Sequence, residues 1–284
     1  MLPFWLSIAL LSLLQGAVVA LPRPIQLPQL ARLRGRRWAV IPPLSVVGFV
    51  FVARAAESAS AEALTYLALL AVPPLAALAL GRLSHGARPV RAVLVLPLFA
   101  LAWADRGGLA GETAAVLLSA LSCVSLGTLL AAVTPPRWLA LGIVAMAAAD
   151  TALVVSDLLQ RPNNALIAAH PVAGLPRLQS AVLGSAVMGY GDLFIAGVLG
   201  GLLAVSMGRS LQLRGAVLTA GLSLMFDLLF LLVSELPATV PVAIALIVLL
   251  LLRRRRAPSP RQRAPAARWR LSRRSPPARA PAAR

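Results

Sequence analysis

Long apolar runs, broken by short segments carrying Arg, Pro and Gly, dominate the chain from residue 2 to residue 252. A bilayer core of about 30 Å takes about 20 apolar residues as a helix. On that measure the pattern predicts nine spans, at 2–21, 38–53, 63–80, 90–104, 111–133, 138–159, 180–206, 215–234 and 236–252. The second and fourth are short, and Pro42, Pro43 and Pro97 interrupt them. The first has no positive segment ahead of it, and its apolar stretch is longer than the roughly 7–15 residues of a signal peptide core. It therefore reads as a span, although Val18, Val19 and Ala20 mimic a small-residue cleavage site. The fold expected is all-α: a polytopic membrane protein of about nine transmembrane helices. Residues 1–137 would form an N-terminal bundle of five spans and residues 138–252 a core of four. Residues 253–284 open with four Arg and continue mostly in Ala, Pro, Arg and Ser. That stretch has too little apolar bulk to bury a core and is expected to be a disordered tail.

Composition excludes a soluble globule. Of the 284 residues 59% are apolar and 13% charged, against about 45–50% and about 25% in soluble domains. Charge adds an orientation. All 27 basic residues are Arg, against 9 acids, for a net +18. Twelve of those Arg lie in the tail, so the basicity is a local property that fits anionic headgroups; a nucleic-acid partner is not expected. Placing the N-terminus outside and the C-terminus inside puts 23 of the 27 Arg on the inner side, as the positive-inside rule asks. Only Arg54, Arg106, Arg161 and Arg177 fall outside, together with the loop acids Glu57, Glu62, Asp105, Glu112 and Glu235. Removing one internal span would scramble this alternation. A single Cys (Cys123) excludes an intrachain disulfide, and two distant His (His85, His170) argue against a His-based metal site. No metal or cofactor is expected.

Three carboxylates fall well inside apolar spans: Asp150, Asp192 and Asp227; Asp157 sits near the end of the sixth. An Asp at a span's centre costs about 2.5–3.5 kcal/mol, so each is a functional candidate in search of a partner. At about 1.5 Å per residue, Asp150 lies about 18 Å and Asp192 about 21 Å from the inner face. Adjacent antiparallel helices would set them side by side. Two carboxylates in contact cannot both ionise cheaply, so they share a proton. That is aspartic-protease chemistry: one deprotonates a water, the other protonates a carbonyl oxygen. The residues before Asp192 are Gly189, Tyr190 and Gly191, where the missing Cβ atoms allow close approach. The ninth span opens on Pro237-Ala238-Thr239 with Pro241 behind it. Two prolines four apart prevent a regular helix there, and irregular backbone at membrane depth belongs beside a cavity. Its free carbonyls and amides are expected to pair with an unwound substrate strand.

Together these features resemble the GxGD intramembrane aspartyl proteases, the presenilin and signal peptide peptidase family. That family is nine-spanning, with a catalytic Asp in the sixth span, Gly-x-Gly-Asp in the seventh and Pro-Ala-Leu at the ninth. The matching positions here are Asp150, Gly189-Tyr190-Gly191-Asp192 and Pro237-Ala238-Thr239. The run Leu193 to Leu199 is also similar to the stretch just after the motif in signal peptide peptidases. The resemblance covers about residues 138–252. It implies an aspartic endopeptidase with Asp150 and Asp192 as catalytic pair. The other motif residues would line the substrate site, and the substrates would be single-span helices with a cytoplasmic N-terminus. The 42-residue interval between the acids and the N-outside orientation are similar to the signal peptide peptidase branch. Two departures stand out: Ala149 replaces the usual Tyr before the first Asp, and Thr239 replaces Leu. All-Arg, Ala-rich usage suggests a prokaryotic homologue in a plasma membrane. The alternative within the same chemistry is a type IV prepilin-peptidase-like protease, with Asp157 ahead of Pro162 and Asn163 as the first acid. That family commonly has Lys where this chain has Phe194. The alternative of another class is a transporter or channel whose buried acids bind protons or cations, but the inverted repeats usual there are not found.

Overall fold

The computed structural model describes residues 2–25, 32–55, 57–233 and 236–256. Glu235 and the tail 257–284, with its expected disorder, lie outside the described residues. Helices dominate: α1 Phe4–Ala20, α2 Ile41–Ala55, α3 Glu57–Leu78, α4 Val95–Ala104, α5 Leu109–Val133, α6 Pro136–Val155, α7 Gln160–Ala168, α8 Tyr190–Ser206, α9 Arg209–Asp227 and α10 Val240–Arg256. Five helical stretches are long and apolar enough to cross a membrane: Arg36–Ala55, Ala59–Leu83, Leu109–Val133, Pro136–Val155 and Arg209–Leu231. Phe4–Ala20, Pro89–Ala104 and Tyr190–Ser206 are shorter apolar helices. The chain is a helical membrane protein, and each of the nine apolar runs contains a helix.

One of those runs is not helical throughout. The apolar pattern predicts a single span over residues 180–206. Instead a hairpin precedes α8: β1 Ser180–Leu183 pairs antiparallel with β2 Ala186–Gly189, Ser180 opposite Gly189 and Val182 opposite Val187. The cause is local. Gly184-Ser185 is a two-residue hairpin turn of the Gly-first kind, and Gly184 adopts φ 58°. The turn is pinned by Glu112 at the start of α5, whose Oε2 accepts from the Gly184 amide at 2.7 Å. Unpaired strand backbone is costly in lipid, and this hairpin packs on α5 and α1. The sixth span also ends early. It stops at Val155, and Asp157 stands in a turn at φ 53°, a conformation Asp tolerates better than most residues.

The centre of the bundle is α5 against α8, with α1 packed on α8 and α9. Helices from the first half of the chain, α1 and α5, thus pack directly on α8 from the second. Close approach between α5 and α8 runs through glycines: a Cβ at Gly201 would stand 2.6 Å from the Gly127 carbonyl oxygen and 3.0 Å from Ala131 Cβ. The Gly197-x-x-x-Gly201 pair is thus a packing seam. Gly201→Ala is expected to destabilise the fold by about 1–3 kcal/mol through overpacking, read as a lower unfolding midpoint in detergent.

The other end of α1 is held by backbone contacts. The Arg23 amide donates to Leu83 O at 3.0 Å and the His85 amide to Leu21 O at 2.8 Å. Gln212 Nε2 donates to Pro22 O at 2.7 Å and Val19 O at 3.1 Å, and Arg209 donates to Ala20 O. Partial burial, then the guanidinium of Arg209, and less strongly that of Arg23, hold the His85 imidazole below its ordinary value; its bond with Gln212 works the other way. The ring stays neutral near pH 7.

Candidate functional site

Each acid is positioned by a different kind of structure. Asp150 lies on α6 among Ala147, Thr151 and their neighbours and is 7% exposed. Asp192 is the third residue of α8, immediately after the hairpin. Its Oδ2 accepts from the Gly189 amide at 3.1 Å, half of a capping arrangement at a helix start. The helix dipole favours a carboxylate at this position. Hydropathy alone puts Asp192 about a dozen residues into a helix; it stands at a helix N-terminus because β1 and β2 use the preceding residues.

The two acids are brought together. Asp150 on α6 and Asp192 at the start of α8 lie on neighbouring packed helices and interact electrostatically. The Pro237-Ala238-Thr239 turn joins them. Thr239 Oγ1, 1% exposed, donates to Asp150 Oδ2 at 2.6 Å, and the Thr239 amide faces the same carboxylate. A Leu at position 239 has no hydroxyl to give, so the departure from Pro-Ala-Leu changes what holds the first acid.

Most backbone groups of that turn are already engaged. Ala238 O accepts from Gln15 Nε2 at 3.0 Å, Pro237 O accepts from the Val240 amide at 3.1 Å, and Thr239 O from Ala243 at 3.1 Å. The sequence leads one to expect a turn free to pair with substrate; the turn instead grips Asp150 and α1.

Gln15 does not stand out among the acid and glycine motifs of the sequence. It is completely buried and ties three elements together. Its Nε2 also reaches Asp192 O at 3.3 Å, and its Oε1 accepts from Ser223 Oγ at 2.6 Å. A signal for it exists: it is the only Gln, Asn or charged residue within α1, and a strongly polar residue inside a span needs a partner there. One turn earlier, Ser12 Oγ donates to Asp227 Oδ2 at 2.7 Å. Asp227 therefore bonds to the first helix, not within its own.

Tyr190 and the glycines divide their roles. Tyr190 Oη lies 2.7 Å from Ser122 Oγ, anchoring the start of α8 to α5, and Cys123 Sγ donates to Tyr190 O at 3.8 Å. A Cβ on Gly189 would press the Asp192 carboxylate at 3.0 Å, whereas one on Gly191 would meet Met146 at an ordinary 3.6 Å. Asp157 is exposed beyond the end of α6 and does not share the face of Asp150.

An apolar cleft between α6 and α10 is lined by Ala147, Ala148, Thr151, Ala152, Ala243 and Ile247; Asp150 is not among its lining residues. A smaller cavity of about 60 Å³ reaches Asp192 from α1, β2 and α9. Among the described residues no cluster of three or more His, Cys, Asp or Glu is arranged to hold a metal. No family model, curated protein or solved structure matches this chain.

Proposed function

We propose that this chain is an intramembrane aspartyl endopeptidase of the presenilin and signal peptide peptidase kind, with Asp150 and Asp192 as its catalytic pair. The observation that carries the reading is that these two acids, 42 residues apart, lie on the packed helices α6 and α8, with Thr239 donating to one of them. Two facing carboxylates share a proton. One takes a proton from the attacking water, and the other gives its proton to the scissile carbonyl oxygen. The 2.6 Å bond from Thr239 fixes the orientation of one Asp150 oxygen and leaves the other for that exchange.

A nine-span arrangement with N-outside and C-inside is supported by the 23-to-4 Arg partition. The substrates are single-span helices, and the membrane is the cell's plasma membrane. The α6–α10 cleft offers an apolar surface on which a substrate helix can dock. A peptide bond must leave its helix to be attacked, and an unwound strand needs backbone partners. With the Pro237 turn engaged, the outer edge of β2 is the better partner, by strand addition; Gly189 at its end is three residues from Asp192.

The test is to incubate the purified protein in bicelles with a model single-span helix, with and without a hydroxyethylene transition-state analogue. Cleavage within the apolar segment that the analogue blocks supports the reading; intact substrate under all conditions sinks it.

A further inference from the structure

Each hydrolysis breaks a C–N bond and consumes one water, whose hydroxyl joins the carbonyl carbon and whose hydrogen goes to the amine. A site between apolar helices must be supplied with that water. The cavity at Asp192 brings five polar side chains, Ser12, Gln15, Asp192, Ser223 and Asp227, into an otherwise apolar lining. Its volume of about 60 Å³ exceeds the roughly 10–15 Å³ that one water requires. Ser12, Gln15 and Ser223 are each at most 4% exposed, whereas Asp227 is partly exposed. Asp227 ends α9, at the far end from Arg209 and four residues before the apolar stretch Arg209–Leu231 ends. The walls of this cavity include nothing from α6, and the walls of the α6–α10 cleft include nothing from α1 or α9. The cavity at Asp192 is thus separate from the α6–α10 cleft and is the one that carries polar side chains.

We propose that the polar cavity between α1 and α9 is a water-delivery chamber for Asp192, with the Ser12–Asp227 pair as its hydrated mouth. This rests on the protease reading for its purpose, but not for its test. Asp227 is here a positioning group for water, not a catalytic residue. Its bond to Ser12 holds one carboxylate oxygen at the cavity wall.

The experiment measures access from the aqueous phase, in proteoliposomes of the full chain. S223C and, as control, T128C are made separately in a Cys123→Ser background. Thr128 is 1% exposed and lies on α5, away from the cavity. Both are treated with a small charged methanethiosulfonate. The S223C thiol is expected to react at least about tenfold faster than the T128C thiol, a difference of about 1.4 kcal/mol in barrier. Adding Asp227→Leu is expected to slow S223C by a similar factor, while Asp227→Asn, which still binds water, leaves it within about threefold. If S223C reacts no faster than T128C, or if Asp227→Leu leaves its rate unchanged in a chain that still elutes as folded protein, the chamber is overturned. Ser12→Val gives a second, milder block expected to slow the same reaction. The labelling needs no substrate and should be the same in Asp150→Asn. Labelling without any proteolysis in the parent chain would sink the protease reading alone; proteolysis without labelling would sink the chamber alone.

Discussion

Asp150→Ala and Asp192→Ala, made separately, are each expected to abolish cleavage of a single-span substrate while the protein still inserts and elutes as folded. Each change removes half of a shared-proton pair, so neither general base nor general acid has its counterpart; single acid–base groups are typically worth about 10²–10⁴-fold. The structural cost should be modest. Removing Asp150 strands the Thr239 hydroxyl that donates to it at 2.6 Å, and removing Asp192 strands the Gly189 amide, each worth about 1–3 kcal/mol. Full activity in either single mutant would end the dyad. Asp157→Ala, at an exposed turn past the end of α6, is expected to keep full activity. An inactive Asp157→Ala beside an active Asp150→Ala would favour the prepilin-type alternative.

The second large effect is expected at a residue outside the acid motifs. Gln15→Leu keeps approximate volume but deletes the amide that ties α1 to the Pro237 turn, to α8 and to Ser223. Three partners lose a bond: Ala238 O, Asp192 O and Ser223 Oγ. Leaving a buried polar group unpaired costs about 1–3 kcal/mol. If about half of the combined strain appears as misplacement of the Pro237 turn and the α8 start, cleavage falls by about tenfold to a hundredfold. The fall should appear in kcat with KM little changed, because Gln15 lines the Asp192 cavity and not the α6–α10 cleft. Gln15→Glu, with one oxygen able to accept from Ser223 but no amide for the two carbonyls, is expected to be no better than Leu. Unchanged kinetics for Gln15→Leu would show that the turn and α8 hold their places without α1.

The dependence of the site on α1 marks the boundary of what the chain reveals linearly. Apolar runs long enough for a bilayer, the Arg partition, and Asp150, Asp192 and Asp227 at costly positions are all legible, because length, charge and hydropathy act locally against lipid. Pro237 and Pro241 forbid a regular helix before Val240, and the structure begins α10 there. The Gly197–Gly201 seam is also legible as packing. The linear pattern misleads where two local forces compete. Residues 180–189 are apolar, but Gly184-Ser185 turns them into a hairpin that packs on α1 and α5. Asp157 falls at helical spacing from Asp150, yet α6 ends at Val155.

Sequence by itself determined that this is a helical membrane protein with expensive acids and a broken helix start. Tertiary structure alone decided their partners: Thr239 for Asp150, Gln15 for Asp192 O and Ala238 O, and Ser12 for Asp227. These bonds join residues 89 to 223 positions apart. No local propensity specifies such a pair. It forms because a buried donor or acceptor must be satisfied somewhere, and only the packing of α1 against α8 and α9 determines which one is within reach.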